Sequence, residues 1–255
     1  MANITFVKYM DNPGAGTSAI GNRSMYRTFY KQKFDQLFVR EQGRVKYTVY
    51  RTENNHDTYY IHIKIPSEKL TKLYYDVVLE LFTTDNIQKT ASNIRQYFVR
   101  FYSNDASFVF TYARAFSLKG YFINELKQKI NSKVFSDPSK VRNPKNETWY
   151  VKSLCFAYFV MEHYNLFSKP VLNQIAKKFS LSQLLMDVMD SDKKMAERQK
   201  YEEEIRLKKK AEKATHIKQT ILPQKFATRN TKTSSVAKTA KVARAGKITK
   251  KTKKI

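Results

Sequence analysis

The residues best suited by type and spacing to do chemistry are cations near the C-terminal end. Lys213 to Ile255 holds thirteen Lys or Arg and no Asp or Glu, half of the formal net charge of +26. Arg229, Lys232, Lys238, Lys241, Arg244, Lys247, Lys250 and Lys253 fall on every third residue; Ser235 breaks the phase, and Lys251 and Lys254 add to the charge. The spacers are mostly Ala, Val, Thr and Ser, so the segment cannot bury enough apolar surface to fold alone. In an extended, polyproline-like chain a three-residue repeat keeps its charges on one face, roughly 9 Å apart. The matching chemistry is phosphate neutralisation, in which each contact releases counterions. Lysines with small spacers are point charges with little bidentate geometry, so contact should be with backbone phosphate and not with base edges. The segment reads as a nucleic-acid-binding tail that contacts DNA or an acidic partner, with DNA the expected polyanion and those ten cations the contacts. A solvated, disordered tail with no fixed partner is the competing reading.

Other groups offer less. His56, His62, His163 and His216 are scattered, and none has metal-ligand spacing with another His or with Cys155. Asp187, Asp190 and Asp192 resemble part of a cation loop but lack its glycine and distal glutamate, and capping of the next helix accounts for Asp190 or Asp192 more simply. Gly14-Ala15-Gly16 lacks the Gly-Lys-Ser/Thr ending of a phosphate loop. No Ser, Cys or His stands in a recognised nucleophile setting. The expectation is a protein that is not an enzyme and takes no metal or cofactor. The run Tyr97-Phe98-Val99-Arg100-Phe101-Tyr102 interleaves aromatics with a cation, and on an open sheet it could stack bases. It lacks the glycine pattern of the common RNA-binding sheet, and a sheet covered on both sides by helices explains it more simply.

The elements that position these groups follow from periodicity. The chain has 255 residues, is 42% hydrophobic and carries 17 Tyr and 17 Phe, so a substantial core is expected. One cysteine excludes a disulfide within the chain, no N-terminal leader is apparent, and no run is long enough to span a membrane. A soluble protein of a reducing compartment is expected. Residues 1–23 read as a flexible, turn-prone arm. Ser24 to Glu41 has helical spacing, ended by Gly43. Strands follow over Lys46 to Arg51, "TYYIHIKIP" (Thr58 to Pro66), "YYDVVLELF" and "IRQYFVRFY". The second alternates cleanly, with Tyr59, Ile61, Ile63 and Ile65 inward and Tyr60, His62 and Lys64 outward; in the third, Asp76 and Glu80 point outward. Short connections imply an antiparallel sheet.

The second half is helical. Asp105 caps a helix that Gly120 ends. A short helix covers about Tyr121 to Asn131, and a long loop runs from Ser132 to Thr148. "WYVKSLCFAYFVMEHY" is apolar enough for the centre of the core. Ser168 and Pro170 open a helix with Leu172, Ile175, Ala176 and Phe179 on its stripe. From Asp192 the chain is nearly all charged, with Glu202 to Arg206 and Glu204 to Lys208 as favourable i,i+4 pairs. The expected fold is α+β: a small, mainly antiparallel four-stranded sheet packed with a helical region, then an exposed charged helix and a disordered basic tail. The expected divisions are the arm at 1–23, a body at 24–189 (strands about 45–102, helices about 105–189), a charged helix at 190–222 and the tail at 223–255.

Five stretches, "SMYRTFYKQKFDQLFVRE", "YYIHIKIPSE", "YYDVVLELF", "FYSNDASFVFTYARAF" and "VRNPKNETWYVKSLCFAYFVME", resemble uncharacterised proteins of large tailed bacteriophages. They lie between residues 24 and 162 and carry over no site residues. The resemblance implies a structural virion protein of the neck, tail or capsid. It would sit among other virion proteins in a symmetric multi-copy assembly, in the virion and in the host cytoplasm before assembly, with no membrane partner. Against it stands an intracellular protein that binds nucleic acid without sequence specificity through its body.

Overall fold

The computed structural model describes residues 3–11, 23–52, 57–83, 92–136, 143 and 145–221. The chain divides into two compact units, Met1–Leu207 and Lys208–Ile255. The first is α+β. Its sheet has the strands β1 (Lys46–Arg51), β2 (Tyr59–Pro66), β3 (Tyr74–Phe82) and β4 (Phe98–Ser103) in antiparallel order, as the short connections predict. A fifth strand was not expected. β5, Lys177–Lys178, pairs parallel to β1 and makes the order β4-β3-β2-β1-β5.

Why β5 forms is visible at the end of the preceding helix. That helix runs over Lys169–Ile175 with Ser168 at its N-cap and Pro170 in its first turn. It does not continue to Phe179: Ala176 is extended, and the Phe179 N–H donates to Arg51 O at 2.9 Å. Phe179 instead stacks on Tyr60, with centroids 4.2 Å apart. The aromatic stack and the edge hydrogen bonds outweigh one more helical turn.

The helices, in order, are α1 (Phe6–Asp11), α2 (Arg23–Arg40), α3 (Ala113–Leu118), α4 (Lys133–Ser136), α5 (Lys152–His163), α6 (Lys169–Ile175), α7 (Leu181–Asp187) and α8 (Ser191–Ile221). A π-helical stretch, Phe108–Tyr112, leads into α3, and a 3₁₀ turn over Asn124–Lys129 replaces the short helix expected after Tyr121. Gly43 and Gly120 end α2 and α3 with φ of 72° and 76°, a conformation costly for any residue with a Cβ. α5 is buried from Ser153 to Met161 on all sides, because it lies between two apolar layers. Phe34 of α2 packs on Phe156 and Phe159 from one side, and the sheet closes the other.

The N-terminal arm needs correction where it is described. Thr5 bridges to Phe98, and Phe6, Tyr9 and Met10 are fully buried. The Tyr9 hydroxyl donates to Trp149 O (2.7 Å) and accepts from the Val151 N–H (3.2 Å), while the Tyr150 hydroxyl donates to Met10 O (2.8 Å). Phe6, Tyr9 and Met10 are part of the core. Gly14-Ala15-Gly16 and His56 lie outside the described residues.

The second unit is described as far as Ile221, where it is helical, and its side chains from Lys208 to Thr215 are all exposed.

Candidate nucleic-acid interface

A single-stranded polyanion could meet this protein on the sheet, in a cleft of the body or on the C-terminal cations. The sheet is closed on both faces. Ile61, Ile63, Val77, Leu79 and Phe101 lie beneath α5 and the N-terminal aromatics: Phe101 sits 5.3 Å from Phe6 and 4.9 Å from Tyr9, and the Ser103 hydroxyl bonds that of Ser153 (3.2 Å). The opposite face, read from the sequence as outward, is covered by Phe179, α7, the 188–190 segment and the chain around Phe122. Tyr97, Phe101 and Tyr102 are at most 1% exposed. These aromatics are core residues, as a covered sheet requires, and no base can stack on them.

The covered polar face holds a set of buried titratable groups, Tyr60, His62, Asp76, Glu80 and Tyr102. Cross-strand register places Tyr60, Glu80 and Arg100 in one row, and His62, Val78 and Tyr102 in the next. Asp76 Oδ1 accepts from His62 Nε2 at 2.8 Å, with Lys64 Nζ at 3.6 Å. Its Oδ2 accepts from Asn104 Nδ2 (2.8 Å) and from the Met189 N–H (3.2 Å). Burial pushes the Asp76 carboxyl up, but the hydrogen bond and charge of His62, the Lys64 ammonium and the Met189 N–H outweigh it and hold it below the usual range. An ionised carboxylate only accepts, so His62 Nε2 is the donor.

Glu80 accepts from the Tyr60 hydroxyl (2.9 Å) and from Arg100 (3.0 Å). Here burial wins, and the carboxyl is raised despite Arg100 and Tyr60. A third cluster ties the sheet to α6. Asp57 accepts from Arg51 (3.1 Å), from the Tyr97 hydroxyl (2.7 Å) and from the Lys169 ammonium. Burial opposes ionisation, and the Lys169 and Tyr97 hydrogen bonds with the Arg51 charge bring the carboxyl below its ordinary value. Burial pushes the Cys155 thiol far up, away from the reactive thiolate. Each carboxylate is satisfied from within, and none of the three clusters brings a nucleophile to a base. Among the described residues no three His, Cys, Asp or Glu could share a metal ion.

An open cleft of about 760 Å³ lies beside the Asp76 network. Lys64, Lys72, Lys129, Lys193 and Lys194 line it, but so do Asp76, Asp187, Asp190 and Glu197. Lys129 and Lys193 pair with Asp190 at 3.0 and 3.5 Å, and Lys194 pairs with Glu197. Near-balanced charge of this kind does not attract a polyanion. The charged helix expected at 190–222 begins at Ser191, but its first turns are seated, with Ser191 and Lys194 at 1% and 5% exposure and Tyr201 against Leu70, Leu73 and Tyr75. Only from Glu202 is every described side chain exposed.

The densest excess of positive charge is C-terminal. From Lys208 to Ile255 there are sixteen Lys or Arg and a single acid, Glu212, and Lys208 is where the second unit begins. Lys208, Lys209, Lys210 and Lys213 are exposed. The predicted contacts from Arg229 to Lys254 lie outside the described residues. No described helix is long and apolar enough to cross a membrane. No protein-family model, curated protein or solved structure matches the chain.

Proposed function

We propose that the chain is a structural component of a tailed-phage virion, in the neck, tail or capsid. Its α+β body docks among other virion proteins in a multi-copy assembly, and its basic C-terminal segment contacts packaged DNA through phosphates. The observation that carries the nucleic-acid part is the partition of charge. The buried carboxylates of Asp57, Asp76 and Glu80 are matched by donors of the body, whereas the residues after Leu207 hold sixteen cations against one acid. The closed sheet and the charge-balanced cleft speak against those two surfaces, and the excess of cations over acids is densest after Leu207. The virion setting rests on the resemblance of residues 24–162 to phage proteins.

Binding to duplex DNA should be independent of sequence and steep in salt. If the eight in-phase cations engage together, the slope of log affinity against log salt should approach roughly −7, at about −0.9 per contact. Deleting Ala227 to Ile255 should remove most of that slope. A truncated protein that keeps its affinity would instead support the alternative, a nucleic-acid binder acting through its body. Mass spectrometry of purified particles tests the setting separately, and absence of the chain from them defeats it.

A further inference from the structure

A second cleft, unconnected with the basic segment, lies beside the π-helical turn. There the Ala113 N–H reaches back five residues to Phe108 O. Such widened turns are uncommon and concentrate at functional sites. This one lends its Thr111 carbonyl to the following loop: Asn143 Nδ2 donates to Thr111 O (3.0 Å) and to Glu147 O (2.8 Å), and its Oδ1 accepts from the Glu147 N–H (2.9 Å). Asn143 is 8% exposed, so this clasp is internal. Next to it Asn146 holds a φ of 50°, a left-handed conformation that costs energy outside glycine.

The cleft bounded by these groups has a volume of about 350 Å³, within the range of small-molecule sites. Val109, Phe110 and Val134 make it apolar, and Phe110 is 45% exposed there. Arg114 and Lys133 bring positive charge, and Asp192, exposed, is the acid of the lining. Arg114 differs from the other arginines of the body that bond within it. Arg27, Arg40, Arg51, Arg100 and Arg198 each meet a carboxylate within 3.2 Å, and Arg95 meets Glu162 at 3.8 Å. Arg114 is half-buried, and its NH1 donates to two backbone carbonyls, of Phe135 and Ser136. Its Nε is buried without a partner, and among the described residues no carboxylate pairs with it. A guanidinium held in place, partly desolvated and lacking a counter-charge is a receptor for an oxyanion.

We propose that this cleft binds a small organic oxyanion. The carboxylate or phosphate would sit on Arg114 and Lys133, and an apolar, planar body would lie against Phe110, Val109 and Val134. Benzoate, phenyl phosphate and, as an uncharged control, benzyl alcohol can be titrated into the full-length protein, with binding read from saturation transfer to the aromatic protons. At least one anion should bind saturably and the alcohol should not; the tighter anion assigns the class. Arg114→Gln should weaken binding about tenfold, the loss expected for one charge-assisted hydrogen bond. Phe110→Ala, at a half-exposed position, should weaken it severalfold with little change in unfolding temperature. All variants keep the C-terminal cations, so anion binding that survives both substitutions belongs to those cations and overturns the proposal, as does equal binding of all three probes. Should Arg114→Gln fail to fold, Lys133→Gln and Phe110→Ala decide by the same criterion.

Discussion

Ile61, Ile63, Val77 and Leu79 on one face of the sheet, and Tyr60, His62, Asp76 and Glu80 on the other, are all at most 6% exposed. The first set is held by area: aliphatic side chains beneath an apolar helix, each worth about 1.5–3 kcal/mol when fully buried. The second is held by matching, since every polar atom that leaves water must find a partner. The partners are remote. Met189 lies 113 residues from Asp76, and Asp187, which accepts from the Tyr50 hydroxyl at 2.7 Å, lies 137 residues from it. An apolar face tolerates whatever helix covers it. A polar face is satisfied by one arrangement only, and so fixes the position of the 187–190 segment that leads into α8.

The largest effect should come from breaking the apolar face. Ile63→Asp places an unpaired charge at a site with no exposure, and a loss beyond about 4 kcal/mol is expected. Urea denaturation should show a protein unfolded, or nearly so, without denaturant. A folded variant with a normal transition would mean that the face beneath α5 is not a packed core.

Removing one partner of the polar face should come next. Asp76→Leu strands His62 and the Met189 N–H and removes one of the two bonds of Asn104 Nδ2, and breaking such a buried pair costs about 3–5 kcal/mol. The comparison is sharpened by Asp76→Leu with His62→Leu. If matching is the rule on this face, the double variant should be more stable than the single one, because the second change removes a stranded donor. Additive losses would show instead that the face is held by packing, like its opposite.

Much of this was legible in the sequence, and the limits have a physical cause. Alternation in "YYIHIKIP" and "YYDVVLELF" located β2, β3 and the inward set, because side chains of period two read directly as faces. The same alternation made Asp76 and Glu80 outward, because a lone strand does not reveal a partner more than a hundred residues away. The row Tyr60, Glu80, Arg100 depends on register across three strands. β5 is two residues long and has no period to detect. α1 was hidden by the turn-rich stretch that follows it. At the sites, the three-residue charge repeat was plain because it is local. Arg114 was not, because its setting is made by carbonyls of Phe135 and Ser136 and by a π-turn, none of which leaves a residue pattern.

Buried carboxylates on and beside the polar face should also set the acid limit. Asp76 and Asp57 are both held below their ordinary values, so each contributes stability that is complete above the unfolded carboxyl range, near pH 4, and is lost as pH falls through the lower folded value. Denaturation followed from pH 4 to pH 2 should show a falling limb, whereas the raised Glu80 carboxyl acts in the opposite sense above pH 4. Asp76→Asn, less stable at neutral pH, should fall less steeply. A limb of unchanged slope would mean that Asp76 is protonated alike in both states.

The smallest effect belongs to Lys64, at the margin of the same network. Its side chain is 43% exposed and its Nζ stands 3.6 Å from Asp76 Oδ1. Half-solvated pairs contribute little, so Lys64→Ala should cost no more than about 1 kcal/mol at neutral pH. The charge at position 64 nonetheless lowers the Asp76 carboxyl, and removing it should move the acid limb upward in pH. Lys64→Asp, which sets a like charge opposite the carboxylate, should move it further in the same direction. The order wild type, Lys64→Ala, Lys64→Asp in the midpoint of the acid limb is therefore the expected result. It separates charge from packing, because neither substitution empties the core. If the three midpoints coincide, the Asp76 carboxylate is governed by His62, Asn104 and the Met189 N–H alone, and the solvent-facing edge of the polar face has no part in its matching.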